Sequence, residues 1–283
     1  MIVIKGMQGL GDNIYQRAFI KSLLKSSDVL LETPWPEIYE DLPGVNFLKP
    51  HTKLRTQKKN LERATDVKWH PPYFGNAKAI SYGRAGIVKG MRGAFGVDCA
   101  PFDLPKFDSP VEGEYVVIRP VTTRKEWIAT ARNPDPKYIY ECSEILMAKG
   151  YKVVSIADLS DDLEWLEGPE PMSSICYHRG ELTVRQLLGL VQGAKFVVGG
   201  IGWLLPAAIA SKVPGWFVYG GQGAFNAPEL LTDSDRMDLS KIGYALPDQF
   251  CRCALGAHNC NKRITGHADQ FTQWLGKIAS LER

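Results

Sequence analysis

The hydrophobic positions of this chain fall into short apolar runs separated by segments of helical period. Residues 2–5 (IVIK) read as a short buried strand. Residues 13–25 read as a helix with Tyr15, Ala18, Phe19, Ser22 and Leu23 on one face. Asp12 or Asn13 is the natural N-cap. A second strand at 29–33 (VLLET) is stopped by Pro34 and Pro36. Residues 34–50 read as turn-rich with one short helix, and 51–100 as mixed and glycine-rich. A new series begins further on. YVVIRP (115–120), YKVVSIA (151–157), KFVVGG (195–200) and GWFVYG (215–220) read as strands. Helices fall between them at 136–150, with Gly150 as C-cap, at 181–194 and at 204–212, and a last amphipathic helix spans 267–283.

Strands alternating with helices predict an α/β fold of parallel sheets with helices on both faces. Residues 100–114 carry three prolines and few periodic apolar positions, the pattern of an interdomain linker. Two α/β units joined there would leave a cleft between them, where such folds place ligands.

Composition changes this picture only locally. The 283 residues are 45% hydrophobic, enough for a sizeable core. Net charge is only +3, yet residues 51–92 hold ten Lys or Arg against Glu62 and Asp66. That excess, with Trp69, Tyr73, Phe74 and Tyr82 interleaved, points either to an anionic partner or to a solvated surface. The apolar stretch 196–220 is broken by Pro206, Lys212 and Pro214, so it is not a membrane span. The opening apolar run ends at Lys5, too soon for a secretory leader. Six cysteines in such a chain are expected as reduced thiols in a cytoplasm.

Two stretches carry candidate chemistry. The first, Gly6-Met-Gln-Gly9-Leu-Gly11-Asp12, is neither a dinucleotide fingerprint, since Ile14 takes the last glycine position, nor a P-loop. Its glycines let backbone approach a ligand, while Asp12 is either a helix cap or a general base. The second, RPVTTRKEW (119–127), follows a strand and offers Thr122, Thr123, Arg124 and Lys125 to a diphosphate, or is a solvated loop.

Together, in this order, these stretches resemble glycosyltransferase family 9, the heptosyltransferase-like enzymes of GT-B fold. The resemblance rests on Gly11-Asp12 after the first strand and on Thr122, Thr123, Arg124, Lys125 and Trp127 at the start of the second half. GELTVRQLLGLVQGAKFVVGG and CRCALGAHNC extend it. It implies an acceptor-binding Rossmann-like domain (1–107), a nucleotide-sugar-binding one (108–264), and a C-terminal helix (265–283) returning to the first domain. It implies an inverting, metal-independent sugar transfer from a nucleotide-diphosphate sugar, the only co-substrate, with no cofactor. Asp12 would act as base, and Lys125 would stabilise the leaving diphosphate. Thr122, Thr123, Arg124, Gly200, Gly202, Gly220 and Gly221 would hold the donor. Gly9, Gly11, Asn13, Lys58, Lys59, Arg84 and Arg92 would hold an anionic acceptor, either a lipopolysaccharide-core-like glycan or modified DNA.

The chain departs from the family where the nucleotide loop commonly carries Asp and His. Gly200 and Leu205 stand there instead. Rival readings are therefore a phage-type enzyme acting on hydroxymethylated bases, a non-catalytic binding module, and a nucleotide-sugar epimerase or hydrolase. Three lesser signals are expected to be incidental. Asp233-Ser-Asp235 is a chance D-x-D pattern. Cys251, Cys253, His258 and Cys260 depart from zinc-ribbon spacing, so no metal is expected. His178 reads as polar surface, beside Arg179 and Glu181, which could reach the donor.

Overall fold

The computed structural model describes residues 1–281. Glu282 and Arg283, the end of the expected last helix, lie outside the described residues. The first domain opens with β1 (Ile2–Lys5), α1 (Leu10–Leu23) and β2 (Val29–Glu32). A 3-10 turn (Pro36–Tyr39) leads to β3 (Val45–Leu48), α2 (Arg55–Arg63), β4 (Lys78–Ala79) and α3 (Ile87–Phe95). Its four strands pair in the order β3-β2-β1-β4, all parallel.

The second domain begins with β5 (Val116–Arg119), β6 (Thr122–Arg124), α4 (Pro136–Ala148) and β7 (Val153–Ile156). There follow β8 (Glu164–Leu166), β9 (Ile175–Tyr177), α5 (Val184–Gln192), β10 (Val197–Gly200) and α6 (Leu204–Ser211). The domain closes with β11 (Gly215–Val218), the short α7 (Gly223–Asn226) and α8 (Pro228–Leu231), β12 (Ile242–Ala245) and α9 (His267–Leu281). Its parallel sheet runs β12-β11-β10-β5-β7-β9, and β6 and β8 form a separate antiparallel pair. The expected α/β architecture of two facing parallel sheets is present, and no helix among the described residues is long and apolar enough to cross a membrane.

Helix α1 starts at Leu10, earlier than the hydrophobic period indicated, and Gly9 occupies the N-cap without a side-chain cap. Asp12 and Asn13 therefore lie inside the first turn. The Asn13 amide donates back to the carbonyls of Met7 and Gly9, at 2.7 and 2.8 Å. The Gln16 side chain accepts from the Met7 backbone N–H. These polar groups, invisible to hydrophobic periodicity, wind the glycine loop onto the helix.

Helix α1 is also buried on nearly every side, because it lies between its own sheet and α6 of the other domain. Ile14, Phe19 and Ile20 belong to one apolar cluster with Leu204, Leu205, Ala208 and Phe217. Gly11 permits that approach: a Cβ there would sit 3.0 Å from Trp203 Cα. Arg17, 1% exposed, is neutralised by Asp41 at 2.6 Å and by Asp103 of the linker at 3.0 Å. The linker is thus irregular, as its prolines predict, yet clamped.

Helix α9 corrects the expected architecture. Phe271, Trp274, Leu275 and Ile278 pack with Tyr138, Ile139, Phe196 and Trp216, so the helix covers the second domain and does not return to the first. Its first residue, His267, is buried between Trp216, whose indole N–H donates to Nε2 at 3.3 Å, and Glu141, 2.5 Å from Nδ1.

Candidate active site

A cleft of about 540 Å³ lies between the two sheets and draws its walls from both domains. The first domain contributes Gly9, Gly11, Asp12 and Tyr15 from the opening loop and α1, Gln57 and Lys59 from α2, and Tyr82. The second contributes Arg119 from the end of β5, Arg132, the loop Ile201–Trp203, and Gln222, Phe225 and Asn226. This is the carboxyl end of the parallel strands, the place where open α/β sheets leave room for ligands.

Asp12 is the only carboxylate the opening loop brings to this cleft. Burial pushes its carboxyl above the ordinary aspartate range, and the positive charge of Arg132 pulls the other way. The neighbouring phenols of Tyr15 and Tyr82 are also pushed up, first by burial, with the Asp12 charge adding to it in both and Tyr244 contributing at Tyr15. Asp12 is thus a partly desolvated base facing a cation across the cleft.

Arg119 and Arg132 define the opposite wall. Both guanidinium groups approach Gly202, lying 4.0 and 3.5 Å from where a Cβ would project. Neither forms an ion pair among the described residues. Burial, together with the like charges of Arg124 and Arg132, lowers Arg119 to about 10, and burial lowers Arg132 as well. Arg132 donates to the Ile201 carbonyl at 3.0 Å through Nη2, while its Nε is buried without a partner. Two half-buried cations without a counter-charge, one of them with an unspent donor, make a site for an anion, since a partly desolvated charge without a partner is costly.

The residues singled out from sequence divide sharply. Gly9, Gly11, Asp12, Lys59, Thr122, Thr123, Arg124 and Gly202 line the cleft. Several are committed elsewhere. Thr122 donates to Glu164 at 2.9 Å, and Thr123 donates to Glu167. Arg124 pairs with Glu164 at 2.7 Å, and Lys59 pairs with Asp158 at 3.0 Å. Lys125 does not line the cleft: it follows β6 in an exposed turn, where its backbone N–H donates to the Leu163 carbonyl. Gly200, Gly220 and Gly221 lie behind the lining: the Asn133 carbonyl and Cys260 Sγ leave no room for a side chain at the last two, and Pro134 Cδ crowds the first. Asn13 is buried in the loop network, Lys58 and Arg84 are exposed, and Arg92 pairs with Asp98 at 3.2 Å.

The basic segment is used largely within the molecule. Arg55 reaches Asp158 and Glu164 of the second domain at 3.1 and 2.8 Å, and Arg63 donates to the carbonyls of Gly180 and Leu182. His178 is buried, not surface, with Nε2 2.8 Å from Ser155 Oγ. Glu181 lines the cleft, whereas Arg179, Asp233 and Asp235 do not. Sequence reasoning passed over Arg119 and Arg132. Arg119 had one visible signal, a charge closing an otherwise apolar strand. Arg132, in the irregular stretch ATARNPDP, had none.

Two parallel α/β sheets facing one cleft make up a fold of the GT-B class. Among solved structures, the chain superposes over its full length on 77% of TibC, an iron-containing dodecameric glycosyltransferase of enterotoxigenic E. coli, with TM-score 0.66 and 16% identity. It matches a family 9 glycosyltransferase of Veillonella parvula with TM-score 0.61 and 12% identity, covering 100% of this chain and 97% of the other. It matches E. coli ADP-heptose lipopolysaccharide heptosyltransferase II with TM-score 0.59 and 13% identity, covering 99% of each chain. No protein-family model and no curated protein matches the sequence.

Proposed function

We propose that this protein is an inverting glycosyltransferase that moves a sugar from a nucleotide-diphosphate sugar to an acceptor hydroxyl. The observation that carries the reading is the pairing, across one cleft, of a base with a raised pKa, Asp12, and two half-buried arginines without ion pairs among the described residues, Arg119 and Arg132. The structural neighbours support the donor class, since TibC has been solved with ADP-D-β-D-heptose. The arginines take the diphosphate by charge-assisted hydrogen bonds, the role that the resemblance gave to Lys125. Asp12 accepts the proton of the acceptor hydroxyl as that oxygen attacks the anomeric carbon. The bond from that carbon to the diphosphate oxygen breaks, and the electron pair leaves on the β-phosphate. Attack and departure on opposite faces invert the anomeric configuration. Charge building on the diphosphate is met by guanidinium groups already in place, so the reading needs no metal at the reacting centre.

The acceptor side is the first domain, where Lys53, Lys58 and Lys68 are exposed near α2. They favour an acceptor bearing phosphate or another negative charge.

A panel of UDP, ADP, GDP, CDP and dTDP, tested by calorimetry and thermal shift, examines the donor site. One diphosphate is expected to bind, and Arg119→Met or Arg132→Ala is expected to weaken it at least about tenfold, the loss of one charge-assisted contact. Binding of none of the five, or binding unchanged in both variants, would overturn the reading.

A further inference from the structure

Cys251, Cys253, His258 and Cys260 lie on the irregular segment that follows β12, away from the lining of the cleft. Their ligand atoms all fall within 4.8 Å of one another. Cys253 Sγ is 3.6 Å from Cys260 Sγ. His258 Nδ1 is 3.6 Å from Cys251 Sγ and 3.2 Å from Cys260 Sγ. A tetrahedral ion with metal–sulfur bonds of about 2.3 Å and metal–nitrogen bonds of about 2.0 Å would set sulfur–sulfur edges near ~3.8 Å and sulfur–nitrogen edges near ~3.6 Å. The three edges just given are those of such a tetrahedron or slightly shorter, and the remaining three are at most 4.8 Å. They are also far too long for disulfides, and all four groups remain separate side chains.

The segment has a second property that calls for a staple. Between Leu246 and Arg263 it forms neither helix nor strand; only Pro247 and Cys260 are buried, with Phe250 half-buried against the core. That is little apolar burial to offset the entropy of ordering eighteen residues. Yet it is docked in a fixed place. The Gly223 and Ala224 backbone N–H groups donate to the carbonyls of Cys251 and Cys253, and Ala131 N–H donates to Gly256. Gly221 is bare because Cys260 Sγ occupies the space a Cβ would take.

We propose that Cys251, Cys253, His258 and Cys260 bind one tetrahedral, thiolate-preferring metal ion of the zinc or ferrous type. Three sulfurs and one imidazole suit those ions and disfavour Mg²⁺, Ca²⁺ and Mn²⁺. Four protein ligands close the coordination sphere, so the ion is structural and does not act on substrate. It fastens the loop against the residues that carry Gln222, Phe225 and Asn226 into the cleft, and against the turn that carries Arg132. The sequence spacing, C-x-C-x4-H-x-C, hides this because it matches no common zinc ribbon; only the folded loop brings the four groups together. The site stands independently of the proposed transfer reaction.

The test is elemental analysis of the full chain purified without chelator, followed by chelation and titration with Co²⁺. About one zinc or iron per chain is expected, and metal identity separates the two ions. Cobalt is expected to give intense thiolate-to-metal charge transfer and the visible bands of a tetrahedral centre, both lost in Cys253→Ser and kept in the control Cys176→Ser. Protein isolated without metal whose cobalt form shows no thiolate band overturns the proposal. So does a thiolate band unaffected by Cys253→Ser. If Cys253→Ser fails to fold, the wild-type cobalt spectrum decides alone.

Discussion

At the scale of single residues, the site is a contest between burial and charge. Burial raises the Asp12 carboxyl, and Arg132 only partly offsets it. A base must be ionised to work, so the acid limb of kcat/KM should lie above the ordinary aspartate value of 3.8. Asp12→Asn is expected to cut kcat about 10²–10⁴-fold while leaving diphosphate binding intact. A raised folded-state pKa means that the native protein holds this proton more tightly than the unfolded chain does. Stability contributed by the protonated form is therefore lost as pH rises from the ordinary value through the folded one. Asp12→Asn should consequently melt higher than wild type at neutral pH, and melting curves at several pH values check this. Asp12 was legible in the sequence because a carboxylate after a glycine loop is unusual. Arg132 was not, because its placement depends on a turn with no periodic signal.

At the scale of elements, close approach and buried polar anchors decide the geometry. Gly11→Ala would place a methyl 3.0 Å from Trp203 Cα, backbone that cannot simply rotate away. The variant should lose about 1–3 kcal/mol in denaturant unfolding, the usual range for overpacking. His267 holds the start of α9, and burial keeps its imidazole below the ordinary 6.5 despite Glu141. Its folded pKa is depressed, so the unfolded chain takes up a proton first as pH falls through 6.5. Stability is lost from there down to the folded value. His267→Gln should flatten that acid-side slope of melting temperature against pH. The strands of the second sheet were legible as apolar runs. Helix α2 was not, because RTQKKNLER has one buried apolar residue, Leu61, and instead buries Gln57 and Asn60. The short β8, β9 and β12 were missed for a related reason: three or four residues at a sheet margin leave no period to read.

At the scale of the whole molecule, the two domains share one apolar interior. Helix α6, LLPAAIAS, is apolar all round and serves its own sheet on one side and α1 on the other. Sequence alone showed two α/β units and a linker, but an all-round apolar helix does not say which neighbours it covers. Glu164, 2% exposed, adds a polar tie by accepting Arg55 from the first domain and Arg124 from its own. Calorimetry should therefore show a single unfolding transition, and Glu164→Gln should lower stability by about 1–3 kcal/mol by removing the carboxylate that Arg55 and Arg124 share, Arg55 keeping Asp158. Two resolved transitions in the wild type would contradict a shared interior. The fused core also bears on how such a chain could be inherited or rearranged. A cut within residues 100–114 would yield two fragments, each with a greasy wall, α1 on one and α6 on the other. Neither half could serve as a freely portable module, and exchange of one half between relatives would have to carry a matching helix face with it.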